Sequence, residues 1–253
     1  MVQIAVFTSP NESQLYLMLE EINKHLRQIE IAHDISVLYA CESGSRAWGF
    51  PSPDSDYDVR FIYRRELTNY LTIKNRRDVI EVPVNEIVDI SGWDIRKALQ
   101  LFLKSNAPLY EWLQSPVNYK NDSSFLIEMN TLMPEYFSLR AGCHHYLSMA
   151  NNTFEKDLQS PSVNIKKYFY TLRSALAALW IVENKTVPPM QFAELRIIIK
   201  DDQWQSIVDG LLEKKKSSNE KTFVIANTCL QEWINNTLPL VERKIYCITR
   251  CEK

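Results

Sequence analysis

The sequence predicts an α+β protein, with a mixed sheet and its flanking helices in the first part of the chain and a helical bundle in the rest. Three observations carry that expectation. Strand-like apolar runs at residues 35–40, 54–62, 79–84 and 86–90 all fall early, and from Phe125 onward the apolar residues recur only at helical spacing. The polar stretch 118–124 separates the two compositions, which predicts one domain over residues 1–118 and a second over 119–253. Running from just after the first strand through the second is Ser-Gly-Ser-Arg-Ala-Trp-Gly-Phe-Pro-Ser-Pro-Asp-Ser-Asp-Tyr-Asp-Val-Arg-Phe-Ile, residues 43–62, the stretch around which the chain is organised.

Residues 1–10 form an apolar lead-in ending at Pro10. Asn11 or Ser13 is placed to cap a helix whose apolar positions Leu15, Leu17, Met18, Leu19, Ile22, Leu26 and Ile29 recur at three- and four-residue steps. That helix is expected to pack against the sheet. The buried strand 35–40 follows, then Gly44 and Ser45 open a short turn or helix, and 54–62 is the second strand. Strand side chains alternate faces, so Asp56 and Asp58 share one side while Tyr57, Val59 and Phe61 take the other. Two carboxylates about 7 Å apart at their Cα atoms repel by about 2–4 kcal/mol at a surface-like dielectric. A positive group is expected between them, and Mg²⁺ is the usual choice for an all-oxygen site that also holds phosphates. Glycine lets the backbone come close to a ligand, and N–H groups at a helix start attract an anion. A lone Asp-x-Asp is often just a solvated strand end; its pairing with Gly-Ser points to chemistry.

Residues 63–77 mix Tyr63, Arg64, Arg65, Tyr70, Lys74, Arg76 and Arg77. They read as a solvated hairpin or loop, or else as a basic, aromatic lip for a nucleotide or polynucleotide. Strands 79–84 and 86–90 come next. Asp89, between Val88 and Ile90, is a charge inside an apolar strand and needs a partner or a metal. Asp94 competes with it, but Ser91-Gly-Trp-Asp leads into a helix over 95–103, where an N-cap acid is the ordinary reading. That helix stops at Asn106-Ala-Pro, and 109–113 closes the first half.

Helical patterns then run over 126–136, 139–151, 163–183, 190–199, 204–214 and 222–242, with the lysine-rich 214–218 read as a solvated loop. In 165–180, Phe169, Leu172, Leu176 and Leu179 form an apolar stripe, while Lys166, Tyr170 and Arg173 share another face. That second face is either an ordinary wet surface or a set that holds a triphosphate and stacks on a base.

Composition sets limits. The 253 residues carry 29 Lys and Arg against 31 Asp and Glu, a net charge of −2, so an RNA partner needs a local basic patch. No apolar run approaches the length of a membrane span, and no signal pattern opens the chain. The five scattered cysteines suit free thiols in a reducing cytoplasm, and Cys247 and Cys251 lack a second pair at zinc spacing.

Gly44-Ser45 followed by Asp56-x-Asp58 resembles the signature of the DNA polymerase β-like nucleotidyltransferases. The wording from Glu42 to Phe61, with Ser91-Gly-Trp-Asp-x-Arg-Lys-Ala, Ser105-Asn-x-Pro and Glu111-Trp-Leu-x-Ser-Pro, is similar to the nucleotidyltransferases of the YcgL/RlaP type, linked to RNA repair. The likeness is specific from about residue 38 to 118. It implies a polymerase β-like core followed by an all-helical domain that closes the nucleotide and acceptor cleft. The implied reaction moves a nucleoside monophosphate from an NTP to a hydroxyl and releases pyrophosphate. Asp56 and Asp58 would hold two Mg²⁺ ions (Mn²⁺ as a substitute), and Asp89 would complete the metal shell and take the attacking hydroxyl's proton. Gly44 and Ser45 would bind the β- and γ-phosphates with Arg46 as helper, and Lys166, Tyr170 and Arg173 would contact the nucleotide. The favoured acceptor is an RNA or tRNA end, ahead of a protein or small molecule. The rival class is a non-catalytic nucleotide- or RNA-binding module on the same fold.

Overall fold

A computed structural model describes residues 12–73, 76–83 and 87–251. The expected lead-in, the cap Asn11, Lys74, Val84 and Glu86 lie outside the described residues. Helix α1 (Glu12–His33) buries Ile22, Leu26 and Ile29, at four- and three-residue steps along one face, and ends at Asp34 in the left-handed region. Strand β1 (Ser36–Glu42), the short α2 (Gly44–Trp48), β2 (Tyr57–Arg64), α3 (Leu67–Tyr70), β3 (Val79–Pro83) and β4 (Val88–Asp94) follow. Then come α4 (Ile95–Leu103), α5 (Ala107–Trp112) and β5 (Asn118–Asn121). The five strands form one mixed sheet in the order β3-β4-β2-β1-β5, in which β2 and β4 are parallel and the other neighbours antiparallel.

Strand β4 runs four residues past the expected end at Ile90. Its parallel pairing continues to Tyr63↔Asp94, and Gly92 sits opposite Phe61. A Cβ on Gly92 would come within 2.2 Å of the Phe61 ring, so the aromatic side chain covers the glycine across the strands. The strand that looked shortest from its apolar residues is therefore extended by a cross-strand contact.

The second half contains α6 (Ser123–Tyr136), α7 (Leu139–Asp157), β6 (Ser162–Asn164), α8 (Ile165–Asn184) and α9 (Phe192–Leu195), which runs into a 3-10 turn. It ends with α10 (Asp202–Lys216), β7 (Phe223–Ile225) and α11 (Thr228–Cys251). Helices α7 and α8 pack along each other, and α11 lies against both. The expectation of an all-helical second half needs one correction, because β6 and β7 pair into a two-stranded ribbon. Three-residue strands leave too little alternation to read from sequence. The lysine run also differs: Lys214 to Lys216 form the last turn of α10, and Lys215 is fully buried.

Each sheet face has its own cover. Helix α1 packs with Val37, Val59, Phe61, Tyr63 and Ile90 on one side. On the other, Tyr39, Cys41 and Ile62 join a single core that continues through Tyr110 and Trp112 into Leu147, Phe169, Leu172 and Val241. That core crosses residue 118, and β5 at Asn118–Asn121 still pairs with β1.

A buried polar knot lies within this core. Glu111 on α5 accepts hydrogen bonds from Tyr146 at 2.7 Å, Trp48 at 3.1 Å and Arg173 at 3.0 Å. Arg173 also donates twice to the Met190 carbonyl and stacks on Trp48 at 4.4 Å. Arg173 is 2% exposed, so its charge depends on these partners. Arg173→Met should strand the Glu111 carboxylate and cost about 3–5 kcal/mol in denaturant unfolding. Lys97→Met, which removes the solvent-exposed pair with Asp78 at 3.2 Å, should cost less than about 1 kcal/mol. Equal losses would mean that the knot does not bind the halves together.

Candidate functional site

The site begins where β1 turns into α2. Ser43 N–H donates to the Asp58 carbonyl at 2.8 Å, which pins the turn to the start of β2. Gly44 has a φ of +61°, and a Cβ there would stand 2.1 Å from Asp58 Oδ2. A side chain at this position is thus excluded twice, by backbone conformation and by the carboxylate.

Asp58 lies on the sheet face turned toward the helical half, as the strand alternation predicts. In the parallel register its neighbour is Asp89 on β4. Arg60, two residues along the same face of β2, bridges them: its Nη2 lies 3.0 Å from Asp58 Oδ1 and 2.8 Å from Asp89 Oδ2. Burial pushes the Asp58 carboxyl up, and the charges of Asp89 and Asp56 push it the same way against Arg60 and Lys166. Asp56 is exposed at the lip of the same face. Asp94 lies elsewhere; its carboxylate caps α4 through Arg96 N–H and accepts from the Tyr70 hydroxyl. Asp89 is therefore the acid beside the pair.

Glu42, at the end of β1, is 1% exposed. It accepts from Asp58 N–H at 2.8 Å and from the Tyr119 hydroxyl. Burial raises its carboxyl to about 7, outweighing those hydrogen bonds.

The other expected residues divide. Ser45 is buried, and its hydroxyl donates to Ser55 at 3.1 Å; Ser55 donates in turn to Glu220 at 2.9 Å. Arg46 points to the Ser55 and Asp56 carbonyls and lies over the Tyr57 ring at 3.9 Å, so it braces the loop before β2. Lys166 pairs with Glu220 at 2.5 Å. Burial works to lower the Lys166 ammonium pKa, but the Glu220 hydrogen bond and the charges of Tyr170, Glu220 and Asp56 carry it upward. Tyr170 meets Trp48 edge-on at 5.1 Å and lies within the field of Asp58. The helix face shared by Lys166 and Tyr170 thus looks onto the acids. Arg173 lies on the same side of the helix, against Trp48, but it is buried in the knot with Glu111 and is corrected from a nucleotide contact to a core partner.

The lip expected over residues 63–77 is also different. Tyr63 is fully buried, Tyr70 bonds Arg65 N–H and Asp94, and Arg65 caps the His33 carbonyl. Both rings serve the core and the turn rather than a stacking surface.

Among the described residues no group of three or more His, Cys, Asp or Glu side chains could hold a metal ion as they stand. Arg60 takes the bridging place. The donor chemistry nonetheless fits a hard divalent cation: Asp56, Asp58 and Asp89 are neighbouring carboxylates, and burial, helped by the charges of Asp89 and Asp56, drives the central one toward protonation. The glycine against Asp58 Oδ2 leaves that oxygen its space.

A Gly-Ser turn pressed against an aspartate of one central strand, with a further aspartate in register on the next, sets this protein among the DNA polymerase β-like nucleotidyltransferases. The chain belongs to the RlaP family, described as an RNA repair pathway DNA polymerase beta family, whose model matches residues 18–248. It is 44% identical over 204 residues to the uncharacterized protein YcgL of Bacillus subtilis (strain 168), covering 80% of this chain and 78% of that one. A nucleotidyltransferase-like protein from Exiguobacterium sibiricum 255-15, known from its crystal structure, aligns over 89% of this chain and 75% of its own. It does so at 10% identity and a TM-score of 0.30, too loose a likeness to inform the site.

Gly44→Ala should cost about 2 kcal/mol or more. Adding Asp58→Ala should return part of that loss, since the clash leaves with the carboxylate; strict additivity in unfolding experiments would contradict the contact. Glu42 gives a pH dependence. Its carboxyl is raised from 4.5 to about 7, so between those values the folded chain holds a proton that the unfolded chain has lost. The stabilisation is complete below pH 4.5 and fades as pH rises through 7. Relative to Glu42→Gln, the wild type should lose about 3 kcal/mol over that interval. Parallel stability–pH curves would show that Glu42 is ionised in the fold.

Proposed function

We propose that the protein transfers a nucleoside monophosphate from an NTP to a hydroxyl acceptor, in a reaction that depends on Mg²⁺ or Mn²⁺ and releases pyrophosphate. The observation that carries this reading is the registered Asp58–Asp89 pair facing Lys166 and Tyr170, with Gly44 against Asp58. Asp56 and Asp58 would hold the metal ions, and Asp89 would complete the set and accept the acceptor hydroxyl's proton. When bound, the cations neutralise charge on the attacking and leaving oxygens.

The chain's own residues do the rest by placement. Glu42 holds the Asp58 backbone, and Arg46 holds the loop that presents Asp56. Arg60 must release at least one carboxylate for both to ligate. Gly44, Ser45 and Ser55 border the phosphate side with Lys166, while Tyr170 and Trp48 form the aromatic wall. Such a site works by alignment and charge neutralisation more than by covalent chemistry.

An RNA or tRNA end is the favoured acceptor, supported by the RNA-repair description of the family; a protein or small molecule comes after it. The Arg60 bridge favours one other reading, a module that binds nucleotide or RNA without turnover, because a guanidinium already neutralises the acids.

Incubation with each labelled NTP, Mg²⁺ and total cell RNA or protein should place label on RNA. Asp58→Asn should leave folding nearly intact and lower metal-dependent pyrophosphate release about a hundredfold or more. Turnover retained in that variant would remove Asp58 from the chemistry. NTP binding by calorimetry with no product by mass spectrometry would favour the binding module.

A further inference from the structure

On the opposite wall from the aspartates, Glu220 makes an arrangement that the nucleotidyl-transfer reading does not use. It lies in the turn between α10 and β7, 165 residues from Ser55 in sequence. One carboxylate oxygen accepts from the Ser55 hydroxyl at 2.9 Å and the other from Lys166 Nζ at 2.5 Å. Ser55 in turn accepts from the Ser45 hydroxyl at 3.1 Å and from Ser52 N–H at 3.0 Å. One anion therefore completes a chain of donors that begins at the Gly-Ser turn and ends on the helical half.

A second ammonium stands behind this chain. Lys215 is fully buried and donates to the Ser52 hydroxyl at 2.9 Å. Burial lowers its pKa, while Glu220 and Asp54 favour its charge. Lys166 and Lys215 thus share one nearby carboxylate, Glu220, with Asp54 further assisting Lys215. Burial would raise the Glu220 carboxyl, but hydrogen bonds from Lys166 and Ser55 and the fields of both lysines hold it below its ordinary value, so it remains an anion.

Hydroxyl, hydroxyl and ammonium donors serve a phosphate oxygen as well as a carboxylate. We propose that Glu220 is a built-in anion occupying the triphosphate subsite, displaced only by a ligand that carries more negative charge than one carboxylate. The inference rests on the nucleotidyl-transfer reading and deepens it. The Glu220 backbone is held separately, its N–H donating to Asp54 at 3.0 and 3.2 Å, so the side chain can swing out while the turn stays in place. A monophosphate competes with Glu220 on nearly equal terms. Every anion that displaces Glu220 meets the same cost, so a monophosphate is left weakly bound while a triphosphate, spanning further donors with several charges, still wins.

The test is calorimetric titration of the full chain with inorganic tripolyphosphate and with orthophosphate, beside a pyrophosphate-release assay with NTP. Glu220→Gln should tighten tripolyphosphate binding about tenfold, as expected on removing a like charge at contact distance. It should tighten orthophosphate by a similar factor, since both ligands displace the same carboxylate. Both gains should vanish when Lys166→Met is added, which a purely structural role for Glu220 would not produce. If Glu220→Gln fails to fold, Glu220→Asp, one methylene too short to reach both Ser55 and Lys166, should show a smaller gain in the same direction. Unchanged or weaker binding in a folded variant, or no tripolyphosphate binding by any form, overturns the latch. Tightened tripolyphosphate binding without NTP turnover would sink the transfer reading and leave the latch standing. Turnover with no tightening would do the reverse.

Discussion

Like-charge repulsion on one face of the sheet is the constraint that organises this molecule. Strands β2 and β4 are parallel and in register, and that pairing sets Asp58 and Asp89 side by side with Asp56 at the lip. Carboxylates so placed need compensation. Arg60 supplies it from within the sheet, and Lys166 supplies it from the helical half. The apolar opposite face, against α1, is closed to charge, so every compensating group must come from the side where the helices pack. The fold and the site therefore have one origin, since the face that bears the acids is the face that the second half covers.

That cover is continuous. The aromatic and aliphatic core passes from Tyr39 and Ile62 through Trp112 into α7, α8 and α11. The Glu111–Arg173–Trp48–Tyr146 knot fixes how α8 meets the short α2. Trp48 belongs to that knot and to the aromatic wall with Tyr170. A buried ion pair is a poor source of net stability against a hydrophobic alternative, yet a strong selector of one arrangement over others. Here it sets the angle from which Lys166 and Tyr170 approach the aspartates. Among the described residues no helix is long and apolar enough to cross a membrane.

Much of this was legible in the sequence because it is local. Alternation put Asp58 on the face opposite Tyr57, Val59 and Phe61, although β2 begins at Tyr57 and leaves Asp56 in the loop just before it, and the N-cap position of Asp94 separated it from Asp89. The same alternation could have shown Arg60 on the acid face, two positions after Asp58. Glu42 left a weaker trace, a charge ending an apolar strand. Long-range partners left none. Glu220 meets Ser55 and Lys215 meets Ser52 across more than 160 residues, and nothing in a lysine-rich helix end says that its middle lysine will be buried. Arg173 misled for the same reason: helical spacing aligned it with Lys166 and Tyr170, but Glu111 and Met190 drew it inward. Spacing gives a side chain's direction, and only packing gives its partner.

The account stands on Asp89 joining Asp58 in holding a cation. The most direct measurement is Mn²⁺ binding in the presence of NTP, followed by electron paramagnetic resonance in the wild type, Asp89→Asn and Asp94→Asn. Asparagine caps a helix as well as aspartate does, so Asp94→Asn should bind Mn²⁺ like the wild type, whereas Asp89→Asn should bind about tenfold more weakly or worse. Wild-type Mn²⁺ affinity in Asp89→Asn would contradict it.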